Sequence, residues 1–284
     1  MNEKRCLVCG GSECPLYAVK RGYSIYRCTA CGFAFVHPLP SESSEIYNDT
    51  YFSGAEDGFG YVNYDEDKEP MIPVFVSYLR RIKKALGGTG TLLDVGAATG
   101  FFVSLANRAG FKASGVELSD FAAAQGRKKG LDIQTGTLSD VKNTFDVITM
   151  LDVIEHVPDP KKELSRAGEM VRKGGIIVVN TPDFGSLFAR MLGGKWHLMY
   201  PPEHLSYFTR QNMKSLLDMA GFEVIEMTTI GKSFTLKYIL KTLQKATGLK
   251  FFGMLANAFN RGFLAKIALP INLRDNMFVV ARKR

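Results

Sequence analysis

A glycine-containing turn carries the most specific chemistry that this sequence encodes. A short apolar run around Asp94 is followed by Gly96, Ala97 and Gly100. Such a run is typical of a buried parallel strand, and glycines, which lack a Cβ, let backbone N–H groups approach a ligand. After Gly100 the apolar residues recur with the period of one helix face. Ligands of open α/β sheets bind at the carboxyl ends of the strands, so the turn is predicted to border a ligand site.

A second acid, Glu117, ends the next predicted strand. A carboxylate at this position can accept hydrogen bonds from both hydroxyls of a ribose. The turn matches neither the G-x-G-x-x-G pattern of nicotinamide sites nor the lysine-containing loop of nucleotide triphosphatases. Asp94 lies at the turn, Glu117 is placed to bind a ribose, and there is no diphosphate signature. This combination favours S-adenosylmethionine, whose amino and sulfonium groups are cationic. The alternative is an ordinary buried turn beside an incidental acid.

A third segment, residues 145–160, resembles the fourth-strand motif of class I S-adenosylmethionine-dependent methyltransferases. Its part from Asp152 to Pro160 is most similar to the branch that includes the ubiquinone-biosynthesis O-methyltransferases. The resemblance covers roughly residues 87–230 and the last ten residues, and it implies an α/β fold with a seven-stranded, mostly parallel Rossmann-like sheet, one strand being antiparallel. The sequence places these strands near 91–95, 113–117, 131–135, 145–150, 175–180, 222–228 and 276–282.

The resemblance also implies roles for individual residues. The turn from Asp94 to Gly100 would hold the methionine part of the cofactor, and Glu117 would bind the ribose. The residues implied near the adenine are Leu118, Thr137 and Leu138, and those implied beside the sulfonium are Leu151 and Asp152. This sequence has Ala98 where glycine is commoner, and no acid at Thr137, where many relatives carry one. Neither departure changes the cofactor prediction.

Methyl transfer requires an acceptor aligned with the S–CH3 bond and shielded from water, and a general base helps when the acceptor is a hydroxyl. The candidate bases are His156, His204 and His197. The alternatives are that His156 caps a helix or bonds the backbone, and that His204 forms a structural pair with Glu203. Trp196 and Tyr200 are predicted to stack on a planar or sugar acceptor. In ubiquinone-pathway relatives the segment matching 152–156 has been associated with a divalent cation, but metal-independent relatives share these letters, so we expect no second metal.

All five cysteines lie within the first 31 residues. Four of them form two C-x-x-C pairs, each followed by glycine: Cys6, Cys9, Cys28 and Cys31. In a cytosolic protein this clustering favours a metal over disulfides, and four thiolates at this spacing predict a structural zinc ribbon. Cys14 is predicted to be a buried or free thiol. A closed site of this kind has no open coordination position for catalysis.

The net charge of +8 is concentrated in residues 227–274, which contain eight basic residues and no acid. Lys237, Lys241 and Lys245 share one helix face. A basic, aromatic-rich segment can lie on an anionic membrane surface or clasp an acidic or lipidic substrate. The alternative is a pair of helices that pack on the core and leave a solvated lysine edge.

We predict five segments along the chain. Aromatic residues are scattered between 47 and 64, where they could line the substrate pocket or pack the ribbon onto the core. Apolar residues at 72, 76, 79, 82 and 86 predict a helix that ends at Gly87. The segments are a zinc ribbon (1–40), a linker and helical cap (41–86), a methyltransferase core (87–230), a basic amphipathic insertion (231–274) and the last core strand (275–284).

The leading hypothesis is an S-adenosylmethionine-dependent methyltransferase acting on oxygen or carbon of a small-molecule, sugar or lipid-linked acceptor. The alternatives are an RNA or protein methyltransferase that holds a macromolecule with the ribbon and the basic segment, and a cofactor-binding regulatory subunit. Six of the eight basic residues are lysine, which argues against an RNA reader. The chain has no run of eighteen apolar residues and no signal-peptide core near its first residue, so we expect it in the cytosol, with peripheral contact at the inner membrane surface as a variant.

Overall fold

The computed structural model of this chain describes residues 5–40, 65, 68–236, 240, 244, 248–258 and 268–284. The predicted aromatic linker at 47–64 lies outside these residues, as do Lys237, Lys241 and Lys245.

The strands, in chain order, are β1 (Leu16–Lys20), β2 (Tyr23–Arg27), β3 (Ala34–Val36), β4 (Thr91–Val95), β5 (Lys112–Glu117), β6 (Ile133–Thr135), β7 (Phe145–Leu151), β8 (Val171–Pro182), β9 (Ser206–Tyr207), β10 (Phe222–Thr229), β11 (Lys232–Thr235), β12 (Ala268–Ile271) and β13 (Asn276–Lys283). The α-helices are α1 (Ile72–Leu86), α2 (Phe101–Arg108), α3 (Asp120–Lys128), α4 (Pro160–Met170), α5 (Leu187–Leu192), α6 (Arg210–Met219) and α7 (Lys250–Ala258).

Seven strands form the central sheet, in the order β10-β13-β8-β7-β4-β5-β6. Neighbours from β8 to β6 pair in parallel, whereas β13 pairs antiparallel with both β8 and β10. The sheet therefore has six strands in one direction and one in the other, which confirms the fold expected from the resemblance. Apolar side chains of β4, β7 and β8 are buried on both faces, as parallel strands between two helical layers require.

Helix α1 covers one face of this sheet and ends at Gly87, whose left-handed φ of 80° terminates the helix as predicted. The face that it buries differs from the predicted one. Leu79 and Ile82 are buried, but the other buried residues are Phe75 and Tyr78, whereas positions 72 and 76 are exposed. Aromatic contacts orient this face: Tyr78 stacks on Phe278 of β13 with ring centroids 4.5 Å apart, and Phe75 packs on Phe102 of α2 at 5.5 Å.

The cysteine-rich segment forms a second sheet, in the order β1-β2-β3-β9, all pairs being antiparallel. Its fourth strand, β9, comes from the middle of the chain. Phe33, just before β3, packs on Phe208, just after β9, with ring centroids 5.4 Å apart. The ribbon thus shares a hydrophobic core with the central sheet.

Strands β11 and β12 pair as a separate antiparallel ribbon within the basic segment. The backbone N–H of Ser233 lies 3.3 Å from the sulfur of Met71, just before α1. This contact places β11 against the start of the helical layer. Within the described part of the chain, no helix is both long and apolar enough to cross a membrane.

Candidate active site

The turn after β4 is shaped by three residues with left-handed backbone angles: Gly96 (φ 69°), Ala98 (φ 48°) and Gly100 (φ 80°). Ala98 adopts a conformation that glycine takes without strain. A Cβ on Gly96 would lie 2.7 Å from Cγ2 of Val153. The missing Cβ therefore lets the loop after β7 pack directly on the turn.

Two acids border this turn from neighbouring strands. Asp94 is buried, and its Oδ1 accepts a 2.6 Å hydrogen bond from the Thr149 hydroxyl of β7. Burial raises the pKa of Asp94 to about 7, and the nearby charge of Glu117 acts in the same direction. Asp94 can therefore gain or lose a proton near neutral pH.

The carboxylate of Glu117 joins the turn to the end of β5. Oε2 accepts the N–H of Ala98 at 2.8 Å, and Oε1 accepts the N–H of Ser119 at 2.9 Å. Each oxygen has a second lone pair, so both can still accept a hydroxyl. Burial raises the pKa of Glu117, and the two N–H donors oppose that shift. The same residue can thus shape the turn and receive a ribose.

The residues implied near the adenine differ in their exposure to solvent. The side chain of Leu118 is 47% exposed directly beside Glu117, whereas Leu138 is buried in the core and its side chain faces away from solvent. Thr137 is exposed, and its N–H and hydroxyl both donate to Oδ2 of Asp140, each at 2.8 Å. An acid thus lies against Thr137, three residues later in the chain.

The loop after β7 holds an ion pair. Oδ2 of Asp152 lies 2.8 Å from Nζ of Lys232 in β11, and its Oδ1 accepts a 2.7 Å hydrogen bond from Nδ2 of Asn180 at the end of β8. Burial alone would raise the pKa of Asp152, but the charge and hydrogen bond of Lys232 lower it. Burial would lower the pKa of Lys232, but the charge of Asp152 raises it. Leu151, the residue before Asp152, is partly buried on one face of the central sheet.

His156 and His204 come together beside this loop, with ring centroids 4.8 Å apart. Nδ1 of His156 lies 2.7 Å from the carbonyl oxygen of Glu203, and Nδ1 of His204 lies 2.7 Å from that of Leu198. A carbonyl oxygen only accepts, so each Nδ1 carries the proton and each Nε2 keeps its lone pair. Two imidazole rings therefore lie side by side, and His156 belongs to the loop that packs on the glycine turn.

Burial keeps this cluster almost uncharged. It lowers the pKa of His156 to about 4, and burial together with the neighbouring His156 lowers the pKa of His204 to about 3. Burial, with the charge of Asp152, raises the pKa of Glu155 to about 8, although its Oε2 accepts a 2.8 Å hydrogen bond from the Thr181 hydroxyl. Charge in the cluster is concentrated on the pair of Asp152 and Lys232.

The third candidate base, His197, lies apart from the other two, with Nε2 3.8 Å from Oδ2 of Asp275. The indole N–H of Trp196 donates to the same oxygen at 3.1 Å. The Trp196 ring is fully buried, so it cannot stack on an acceptor in this conformation, contrary to the prediction. The guanidinium of Arg21 covers one face of the Tyr200 ring, 3.6 Å from its centroid.

The four predicted zinc ligands form a compact cluster whose ligand atoms all lie within 4.8 Å of one another. The sulfurs of Cys6 and Cys31 are 3.5 Å apart, as are those of Cys9 and Cys28. Four thiolates about 2.3 Å from one tetrahedral centre would be about 3.8 Å apart, so the arrangement fits a zinc ion. The fifth thiol, on Cys14, lies 3.6 Å from the carbonyl oxygen of Gly11.

A second group of potential ligand atoms, on Glu155, His156 and His204, also lies within 4.8 Å of one another. Imidazole nitrogens are suitable ligands for zinc. Glu155 is the less suitable member, because its raised pKa leaves it protonated at neutral pH. The expectation that no second metal binds here stays a prediction.

A family model described as a methyltransferase domain matches residues 70–227, which contain the turn, both acids and the histidine pair. The chain belongs to this family. Ubiquinone biosynthesis O-methyltransferase from Azorhizobium caulinodans is 30% identical over 151 residues, covering 48% of this chain and 60% of the relative. The enzyme of the same name from Nitrosococcus oceani is 25% identical over 194 residues, covering 59% and 81%. The chain thus spans about three fifths of the length of the first relative.

Solved structures show the same fold. A possible histamine N-methyltransferase from Thermotoga maritima has a TM-score of 0.51 at 20% identity, with 78% of this chain and 95% of that chain covered. Magnesium protoporphyrin IX methyltransferase from Synechocystis PCC 6803, solved with bound S-adenosylhomocysteine, has a TM-score of 0.51 at 12% identity, with 82% and 91% covered. At these identities the likeness establishes the shared architecture of the methyltransferase fold.

The sequence did not reveal several members of the site. Asn180 follows a run of buried apolar residues in β8. A polar residue near the end of that strand is the sequence signal that could have identified it as part of the site. Thr149 is the partner of Asp94 through the pairing of β4 and β7, in which the two residues are directly opposite. No local sequence pattern distinguishes Lys232 from the other lysines of the basic segment or indicates that it pairs with Asp152.

We expect His156 and His204 to remain neutral far below the usual histidine range. In a pH titration followed by NMR of the imidazole carbons, their midpoints should lie near 4 and 3. Each depressed pKa adds stability that is fully present above about 6.5 and is lost as pH falls towards the folded-state pKa. The denatured protein is the control. Midpoints near 6.5 for these two residues in the folded protein would contradict the geometry.

Proposed function

We propose that this chain transfers a methyl group from S-adenosylmethionine to oxygen or carbon of a small-molecule, sugar or lipid-linked acceptor. The observation that carries the proposal is the juxtaposition of two sites at one sheet edge. A glycine turn bordered by Asp94 and Glu117 is packed, through Val153, against a loop that carries His156. The family relationship and the names of the relatives support the same reaction class.

The residues present fit this cofactor. The turn from Asp94 to Gly100 would hold the methionine end, Glu117 the ribose hydroxyls and exposed Leu118 one face of the adenine. Leu151 and Asp152 would lie beside the sulfonium. The bound cofactor supplies an electrophilic methyl group. The protein aligns the acceptor with that group and excludes water, because direct displacement depends mainly on orientation.

The histidine pair would receive the proton that an oxygen acceptor loses. Nε2 is the nitrogen of each ring that would accept it, since both Nδ1 atoms donate to carbonyl groups. Bases with such low pKa values remove a proton effectively only from an acidic group. We therefore favour an acceptor whose hydroxyl proton is comparatively acidic, such as a phenol or an enol, over an aliphatic alcohol.

We also propose that the four cysteines bind a structural zinc ion and that the chain is divided as the sequence suggests. The sulfur distances support the metal. Backbone hydrogen bonds of 2.9 Å from Gly10 to the Cys6 carbonyl and from Gly32 to the Cys28 carbonyl give the two knuckles the same geometry. Chain purified without chelators should contain one equivalent of zinc, and metal-free folded chain would refute the assignment.

We also propose that the basic segment makes peripheral contact with an anionic membrane from the cytosolic side. Two side chains of α7 are strongly exposed although apolar, Phe251 at 61% and Met254 at 72%. They occur in a stretch without acids. Apolar side chains on a cationic segment are the features that bind a helix to anionic lipid.

The cofactor assignment predicts a specific loss of affinity for S-adenosylhomocysteine. Replacing Glu117 by Gln should weaken binding about 10- to 100-fold, because a charged acceptor of two ribose hydroxyls is lost. Asp146→Asn is the matched control, since Asp146 binds Thr91 at the opposite end of the strands. Isothermal titration calorimetry on both variants provides the measurement. Equal affinity of Glu117→Gln and the parent would rule out the ribose role.

The acceptor class can be tested with methyl-labelled S-adenosylmethionine and a cell extract that contains soluble and membrane fractions. We expect label in the soluble or organic fraction, and about 10- to 100-fold less of it with Glu117→Gln at limiting cofactor. Acid-precipitable label that disappears on nuclease or protease treatment would replace the small-molecule acceptor by a macromolecule.

Membrane contact predicts that Phe251→Ser with Met254→Ser weakens sedimentation with phosphatidylserine-containing vesicles by about tenfold or more, because buried apolar area is lost. Leu187→Ser with Met191→Ser is the matched control, since these residues are 74% and 75% exposed but lie in α5, outside the basic segment. A parent chain that does not sediment, or equal effects of the two double variants, would remove the proposed contact.

A further inference from the structure

Strand β9 forms one edge of the ribbon sheet and also contacts the acceptor side of the site. In β9, Tyr207 pairs with Ala34 and Ser206 pairs with Phe35. The N–H of Val36 donates to the carbonyl of Leu205 at 2.9 Å. One edge of residues 205–207 is therefore fixed by the cysteine-bearing sheet.

The other edge of the same segment holds the histidine loop. The N–H groups of Leu205 and Ser206 both donate to the carbonyl of Glu155, at 2.8 and 3.1 Å. Just before them, the carbonyl of Glu203 accepts the Nδ1 proton of His156. The stretch from Glu203 to Ser206 thus lies between the ribbon and the loop, and it carries His204 itself.

A side chain makes a second link. Asn212, in the first turn of α6, is buried and donates from Nδ2 to the carbonyl of Cys31 at 2.8 Å. Its Oδ1 accepts the N–H and hydroxyl of Thr209, which caps the helix. The backbone of a predicted zinc ligand is therefore joined directly to the helix that follows β9.

The cofactor turn is held by different contacts. Its N–H groups and acids bond Glu117, Ser119 and Thr149, which belong to or follow the strands of the central sheet. The parallel strands thus support both halves of the site, since Asn180 and Thr181 of β8 also bond Asp152 and Glu155. The ribbon adds its contacts to the acceptor half.

We propose that the cysteine ribbon is a positioning element for the acceptor site, holding Glu155, His156 and His204 in place through β9 and Asn212. The ribbon strands β1, β2 and β3 are only three to five residues long, and binding of the four sulfurs to one ion would hold the two cysteine turns together beyond what the shared core supplies. Closing the four sulfurs around an ion fixes β3 and the Cys31 carbonyl, and these fix residues 203–212. The inference rests on the proposed acceptor site, but not on the identity of the acceptor.

The test uses the full chain, stripped of metal by a chelator, with three measurements. The Nδ1 protons of His156 and His204 are buried and hydrogen-bonded, so nitrogen NMR should detect them in the metal-loaded chain and lose both in the stripped chain. Emission of the single tryptophan should shift to the red, because Trp196 packs in one cluster with Ile25 and Val36 of the ribbon. S-adenosylhomocysteine affinity should stay unchanged.

Asn212→Asp decides the question if the stripped chain unfolds entirely. Aspartate keeps the acceptor for Thr209 but replaces the donor to the Cys31 carbonyl. Zinc content and S-adenosylhomocysteine affinity should match the parent, while the two imidazole N–H signals shift or broaden. Thr91→Val, which removes a polar contact with Asp146 at the far end of the strands, is the matched control and should leave the signals unchanged.

The ribbon proposal is overturned if both imidazole signals persist unchanged in folded, metal-free chain or in zinc-loaded Asn212→Asp. It is also overturned if purified chain holds no metal and still shows both signals. A parent chain that fails to bind S-adenosylhomocysteine refutes the methyltransferase proposal instead, because that measurement concerns the other half of the site.

Discussion

The parallel pairing of β5, β4, β7 and β8 is the constraint on which the site depends. It brings the carboxyl ends of four strands to one edge, although the residues there are far apart in the sequence. Asp94 is directly opposite Thr149, and Leu151 is opposite Asn180. A shift of one residue in either ladder would turn these side chains to the other face of the sheet. The buried apolar faces fix this register, so the stability of the core also fixes the chemistry.

Burial also limits how many groups of the site can be ionised at once. Ionised groups in a poorly solvated region are costly unless they are paired. The site contains four acids and two imidazoles, but Glu155 tends to stay protonated, Asp94 exchanges a proton near neutral pH and the imidazoles stay neutral. Asp152 and Lys232 neutralise each other, and the carboxylate of Glu117 is stabilised by two backbone N–H groups. An incoming cationic cofactor would therefore meet acids that ionise as it binds, so that the apo protein does not carry unpaired charge.

Features encoded within a short stretch of the sequence were predictable, whereas contacts between distant stretches were not. The strands, the turn at Gly96 and the cysteine spacing each depend on fewer than about thirty neighbouring residues. By contrast, β9 has two residues and no periodicity, so nothing local indicates that it completes the ribbon sheet. His156 and His204 were both candidates, but their proximity follows from the contact of Glu203 with the loop. The burial of Trp196 and the pairing of Lys232 likewise arise from tertiary packing.

The position of β13 between β8 and β10 has a consequence for the order in which the protein is made. During translation β10 leaves the ribosome about fifty residues before β13, and until then it has no neighbour in the sheet. The nascent chain must therefore keep the unpaired strand β10 and the open edge of β8 from pairing with other chains. The basic residues between β10 and β13 are synthesised in this interval, and their mutual repulsion would keep two such unfinished chains apart.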